Sequence, residues 1–122
     1  MRERRMRDFR KYDIWQDAIS LIDVVYDVVS RFPETEKFSL STQIIRAAVS
    51  IPSNIAEGSS RESEKDFARF LQIALGSCFE LETQIIIAMR RNYMNQETGD
   101  NIVMKIQSIQ KRINGLKRKL KK

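Results

Sequence analysis

The chain has 122 residues, 42% hydrophobic and 31% charged, with 22 basic and 16 acidic side chains and no histidine. That length suits one domain built around one core, and the balance of apolar to charged residues excludes a disordered chain. Without imidazole, Ser-His-Asp and Cys-His nucleophile systems and Glu-x-x-His di-iron sites are ruled out. The composition therefore points away from an enzyme and toward a protein with no cofactor and no metal.

The lone cysteine, Cys78, excludes an internal disulfide and fits a reduced, cytoplasmic setting. The charged start MRERRMRDFRKYD has no apolar stretch behind it of the kind a secretory signal needs. The longest apolar run, residues 85–89, is far too short to span a membrane, so no membrane partner is expected. Four glycines and two prolines are few breakers for a β-protein, and they favour long helices.

Four helical segments follow in chain order. The first covers about residues 14–32: Ile14, Ala18, Leu21, Val25, Val28 and Phe32 recur at the helical period, with Trp15, Ile22, Tyr26 and Val29 on a stripe beside them. Asp13 is the expected cap, Gln16 completes a capping-box-like pattern, and Pro33 stops the helix. The second covers about residues 40–56, with Ser39 or Ser41 as cap. Leu40, Ile44, Ala47, Ala48, Ile51 and Ile55 share its apolar face, Pro52 is expected to kink or break it, and Gly58 to close it.

The third segment, about residues 64–92, starts at a Ser63 cap and keeps a heptad-like run through Phe67, Leu71, Ala74, Cys78, Leu81, Ile85 and Ala88. A neighbouring stripe carries Leu75, Phe79 and Ile86. Gly76 and Ser77 are expected to face Ala47 and Ala48 where two helices approach closely. The fourth, about residues 96–120, has one narrow stripe of Ile102, Ile106, Ile109, Ile113, Leu116 and Leu120, so it lies outside with one face covered. Short connections between the segments favour an all-α, antiparallel up-down-up-down four-helix bundle forming a single domain over residues 1–122.

Two surface features carry the functional expectation. The first and third segments have more apolar surface than one small bundle buries, which predicts self-association through Trp15, Ile22, Tyr26, Leu75, Phe79 and Ile86. The charge is the second feature. Residues 1–12 carry a net +4 and residues 111–122 a net +7, leaving −5 for residues 13–110. In an up-down bundle both ends emerge together, and such a concentrated positive field is the footprint of a nucleic-acid binder. The candidate contacts are Arg2, Arg4, Arg5, Arg7, Arg10 and Lys11 at the start, and Lys111, Arg112, Lys117, Arg118, Lys119, Lys121 and Lys122 at the end. Phe9 and Tyr12 are candidates to stack on bases.

The runs IRAAVSIPSNIAEG (residues 45–58) and RFLQIALGS (residues 69–77), followed by ELETQ (residues 80–84), resemble the bacterial four-helix-bundle proteins known as 23S rRNA-intervening-sequence proteins. The likeness runs from Phe9 and Trp15 to the final segment. This group is similar in turn to the accessory variability determinants that assist reverse transcriptases in diversity-generating retroelements. The resemblance implies a homo-oligomer, often a ring of five, with a suspected role in binding RNA or DNA, a reverse transcriptase as a possible partner, and no enzymatic activity. The chain departs from the family pattern in its basic extension before Phe9 and in Ile44-Ile45 before Arg46, where the family often has a second basic residue. The competing expectation is a protein–protein scaffold without nucleic-acid affinity.

Overall fold

The computed structural model describes residues 6–120, and within them the chain is all helical, with four long helices. They are α1 (Asp13–Val29), α2 (Leu40–Ser59), α3 (Glu64–Arg90) and α4 (Gln96–Leu120), with short 3-10 turns at Phe9–Lys11 and Glu34–Glu36. Each long helix packs on two neighbours: α1 on α2 and α4, and α3 on α2 and α4. The diagonal pairs do not pack directly, so the four inward faces meet in one core.

That core holds the predicted stripes. Ile44, Ile51, Ile55, Phe67, Leu71, Leu81, Ile85, Ile106 and Ile113 are all but sealed from solvent. Burying an aliphatic or aromatic side chain of this size stabilises the fold by about 1.5–3 kcal/mol, so the core stripes supply most of what holds the bundle. By length and composition alone α3 is apolar enough to cross a membrane. The sequence reading missed this by counting only an unbroken apolar run. In the bundle one side of α3 is the core itself, with Phe67, Leu71, Ala74, Cys78 and Leu81 buried.

Several helix ends differ from expectation. Ser63 does cap α3, its hydroxyl accepting from the Asp66 N–H at 3.0 Å. Asp13 does not cap α1; it is the first helical residue, and Tyr12 holds the cap position without a side-chain bond. Gln16 instead donates to the Arg10 carbonyl at 2.8 Å. Ser39 holds the cap position of α2 without a side-chain bond, and the Leu40 N–H reaches the Glu36 carboxylate at 3.3 Å instead. The other oxygen of Glu36 accepts from the Tyr93 hydroxyl at 2.7 Å, which ties the α1–α2 connection to the α3–α4 turn. At α4, Asn95 provides the cap, accepting from the Thr98 N–H at 2.8 Å. α1 ends at Val29, before Phe32, and α3 ends at Arg90, with Asn92 in the left-handed region at φ 62°.

Pro52 neither breaks nor ends α2, which runs unbroken through it with Pro52 buried. Ile51 and Ile55 on either side are fully buried. Two residues further on, Asn54 donates to the Ser50 carbonyl at 2.9 Å, and the Ser50 hydroxyl meets that of Ser77 across the α2–α3 contact at 2.8 Å. Packing and side-chain hydrogen bonds thus keep the helix in register where the proline removes one of its own.

The glycines also change roles. Gly58 is not a left-handed cap but a buried contact in the last turn of α2, where a Cβ would lie 2.6 Å from the Phe70 Cβ. Gly99 is buried in the first turn of α4, where a Cβ would collide with Met89. Gly76 does not face Ala47 and Ala48. It is exposed, with open space where a Cβ would stand, and Ser77 makes the contact with α2 instead.

Two substitutions separate these roles. Gly58→Ala forces the Phe70 backbone away and is expected to cost about 1–3 kcal/mol. Gly115→Ala, in open space inside α4, is expected to add about 0.5–1 kcal/mol through helix propensity. Urea denaturation of the two variants measures both signs.

Candidate nucleic-acid interface

Residues 7–12 of the basic N-terminal segment form a strap laid over the α2–α3 turn. Arg7 donates to the Ser59 carbonyl at 3.2 Å, which the end of α2 leaves without a helical partner, and to the Arg61 carbonyl in the turn beyond it at 2.5 Å. Its guanidinium lies 4.8 Å from the Phe67 ring centre. Tyr12 meets the edge of the same ring at 6.0 Å, and Phe9 packs edge-on against Trp15 at 5.1 Å. Both aromatics expected to stack on bases are thus engaged within the chain. Arg10 lies over Phe9 and 3.8 Å from Asp8, and Lys11 is exposed.

The C-terminal cluster lies along α4. Arg112 pairs with Asp17 on α1 at 2.6 Å and also bonds Ser108. Lys117 donates to Gln72 on α3. Lys111, Arg118 and Lys119 are exposed. Arg2, Arg4, Arg5, Lys121 and Lys122 lie outside the described residues.

Both basic ends reach the N-terminal end of α3. Arg7 rests on Phe67 and Lys117 on Gln72, five residues apart, about 7.5 Å along the helix axis and about 140° around it, so the two ends reach the same end of α3 from different sides. Beside them an open groove of about 880 Å³ runs between the first turns of α3 and the last of α4, lined by residues that include Lys65, Asp66, Arg69, Lys117 and Leu120. Arg69 there pairs with Asp66 at 3.5 Å and lies over Phe70. Glu57 pairs with Arg61 at 3.2 Å, and Glu82 accepts from Gln107 and Gln110. These carboxylates brace neighbouring turns and helices. Among the described residues no group of three or more acidic or cysteine side chains forms a cation site.

The six residues expected at a self-association surface divide in two. Tyr26 (50% exposed), Phe79 (59%) and Ile86 (42%) are open to solvent. Trp15, Ile22 and Leu75 are half-buried against the core. The structure adds exposed residues the sequence reading passed over. Ile73 and Ile87 stand with Phe79 and Ile86 on the outer side of α3, opposite its core stripe, while Ile19 on α1 and Val49 on α2 accompany Tyr26. Period alone separates two stripes on a helix, but only the neighbours decide which is covered.

Lys105 was also missed. It is exposed on α4 six residues before Lys111. The available signal was that no acidic residue follows Asp100.

Cys78 is sealed in the core, and burial, with the nearby Glu82 charge adding to it, pushes its thiol up to about 12.

The family described as 23S rRNA-intervening sequence protein matches residues 10–115. Among solved structures, the chain is similar to a Bacteroides thetaiotaomicron protein of unknown function from the S23 ribosomal protein family. The two share 24% identity with a TM-score of 0.79, over 89% of this chain and 99% of that one. That likeness bears on the fold. No curated protein matches the chain.

Two measurements follow. Arg7→Ala removes two hydrogen bonds from a charged donor and its ring contact, and is expected to lower stability by about 1.5–3 kcal/mol in urea denaturation. The raised Cys78 pKa means that the folded state keeps a proton the unfolded state releases. Its contribution is therefore whole below about pH 9 and is lost as the pH climbs toward 12. Stability of the wild type is expected to fall more steeply over that range than that of Cys78→Ala.

Proposed function

Because the chain belongs to the 23S rRNA-intervening sequence protein family, we propose that it is a non-enzymatic accessory protein of the cytoplasm that assembles with itself and binds RNA or DNA through its basic ends. The single observation that carries this reading is that Arg7 and Lys117, from opposite ends of the sequence, both contact the first three turns of α3, at Phe67 and Gln72. Cations drawn together raise the local potential over what either cluster provides alone, and each phosphate they neutralise releases counterions.

An up-down-up-down order of alternating helices supports the convergence. Ser50 meets Ser77 while Gly58, further along α2, meets Phe67 and Phe70, earlier on α3. Asp17 near the start of α1 meets Arg112 near the end of α4. Numbers rising on one helix as they fall on its neighbour are the mark of opposite directions.

Self-assembly is the second half of the proposal. The outer side of α3, with Phe79 and Ile86, and the α1–α2 side, with Tyr26 and Val49, are two different apolar surfaces. A contact between unlike surfaces is head-to-tail and closes into a ring when the rotation permits. That agrees with the ring of five known among proteins the chain resembles. A ring would repeat the basic end in every subunit, and a reverse transcriptase is the partner that the likeness to accessory variability determinants favours.

A gel shift tests the binding. The wild type is expected to retain nucleic acid at low salt, and the K117Q/R118Q/K119Q/K121Q/K122Q variant to lose it. Equal retention by both, or none by the wild type at about 0.15 M salt, overturns the proposal in favour of a pure scaffold. Light scattering tests the assembly. The mass is expected well above the 14.3 kDa of one chain, and Phe79→Glu is expected to reduce it to that of the monomer.

A further inference from the structure

Gly76 has no explanation within a single chain. It stands in the middle of the 27-residue α3, exposed, with open space where a Cβ would be. Its φ is outside the left-handed region, so the backbone does not require glycine there. Apart from proline, glycine is the least favourable residue inside a helix. Gly58 and Gly99 offset that cost by the close approach of Phe70 and Met89, whereas nothing in its own chain approaches Gly76.

The surroundings of Gly76 differ from those of Gly115, which is also open. Arg69, Gly76, Thr83 and Arg90 follow the outer side of α3 at seven-residue spacing, opposite the core stripe. Seven residues is nearly two helical turns, so the line keeps to one side, as the seam of a helix–helix contact does. Ile73 and Ile87 stand on one flank and Phe79 and Ile86 on the other, all between 42% and 59% exposed. The glycine is therefore the floor of a notch between large apolar side chains. Gly115 has Lys111, Arg112, Arg118 and Lys119 one turn away on either side, and no such flanks.

We infer that Gly76 is the point where α3 crosses α1 of a second copy of this chain, with Tyr26 of that copy seated in the notch. The inference rests on the self-assembly reading above and names the residues that meet. Size and charge select this occupant. Tyr26 is 50% exposed, with Ile19 beside it on the outward side of α1. The exposed Asp23 and Asp27 border that pair, while the α3 line carries a cation at each end, Arg69 and Arg90. Acidic flanks thus meet basic ends. A two-fold contact of α3 with its own copy lacks this match. In a parallel pair Arg69 and Arg90 would each oppose their own copies. If α3 pairs antiparallel about Gly76, Ile86 and Ile87 would face Asp66 and Lys65. If it pairs antiparallel about the middle of the apolar stretch, which runs from Ile73 to Ile87, Glu80 would oppose Glu80.

The test uses two substitutions at exposed positions of the full-length chain, Phe79→Glu on the α3 side and Tyr26→Glu on the α1 side. Each leaves one of the two surfaces intact. Light scattering is expected to show either variant alone as a monomer near 14.3 kDa. An equimolar mixture, at several times the wild-type concentration, is expected to form a dimer of twice that mass, because one intact pair of surfaces remains and the contacts cannot continue further. Gly76→Leu fills the notch with a good helix former. It is expected to be a monomer with unchanged helix content by circular dichroism, while Gly115→Leu keeps the wild-type mass.

A wild type that is itself monomeric overturns the self-assembly reading and this inference with it. A wild-type oligomer that survives Gly76→Leu overturns the inference alone. Tyr26→Glu with the wild-type mass also overturns it and is the result that a contact of α3 with α3 gives. A mixture of the two glutamate variants that stays monomeric overturns it as well.

Discussion

The close contact of α2 with α3 is the constraint on which the rest of the molecule depends. It is set at one end by Gly58 lying against Phe67 and Phe70, and in the middle by the Ser50–Ser77 hydroxyl pair. A larger residue at Gly58 would separate the helices where α2 hands over to α3. The same turn presents the Ser59 and Arg61 carbonyls and the Phe67 ring, which together hold Arg7. The packing of two apolar helices therefore decides where the first basic segment goes.

Charge placement follows from that packing. A strap folded over the α2–α3 turn and a terminal helix running along α3 carry cations from opposite ends of the sequence to the same region. Some of those cations are used internally: Arg7 satisfies helix-end carbonyls, and Arg112 pairs with Asp17. The ones left unpaired lie mostly on α4, which has no acidic residue beyond Asp100. Structural roles and the proposed phosphate-binding role thus fall to neighbouring residues of one cluster.

The apolar surface is divided in the same way. α3 lies at the centre of the proposal because both of its sides are apolar: one builds the core through Leu71, Cys78 and Ile85, and the other leaves Ile73, Phe79, Ile86 and Ile87 in solvent. A helix with two apolar sides is costly to leave as a monomer, since patches of this kind favour association. A ring built on that side would use α3 twice, inside the subunit and between subunits, while α4 keeps its polar side outward.

The sequence by itself determined the helices and the core. The 3.6-residue period is local, and it placed the buried stripes of all four segments, the whole of α4 and the Ser63 cap. It also located the basic ends, because net charge is additive along the chain. Only the tertiary structure decided what the ambiguous residues do. Pro52 stays inside a helix, Gly58 and Gly99 permit close approach, Gly76 stands in the open, Glu36 and not a serine meets the start of α2, and Arg7 is bound while Lys105 is free. Each of these depends on an atom contributed by a distant part of the chain, and neither periodicity nor composition contains that distance.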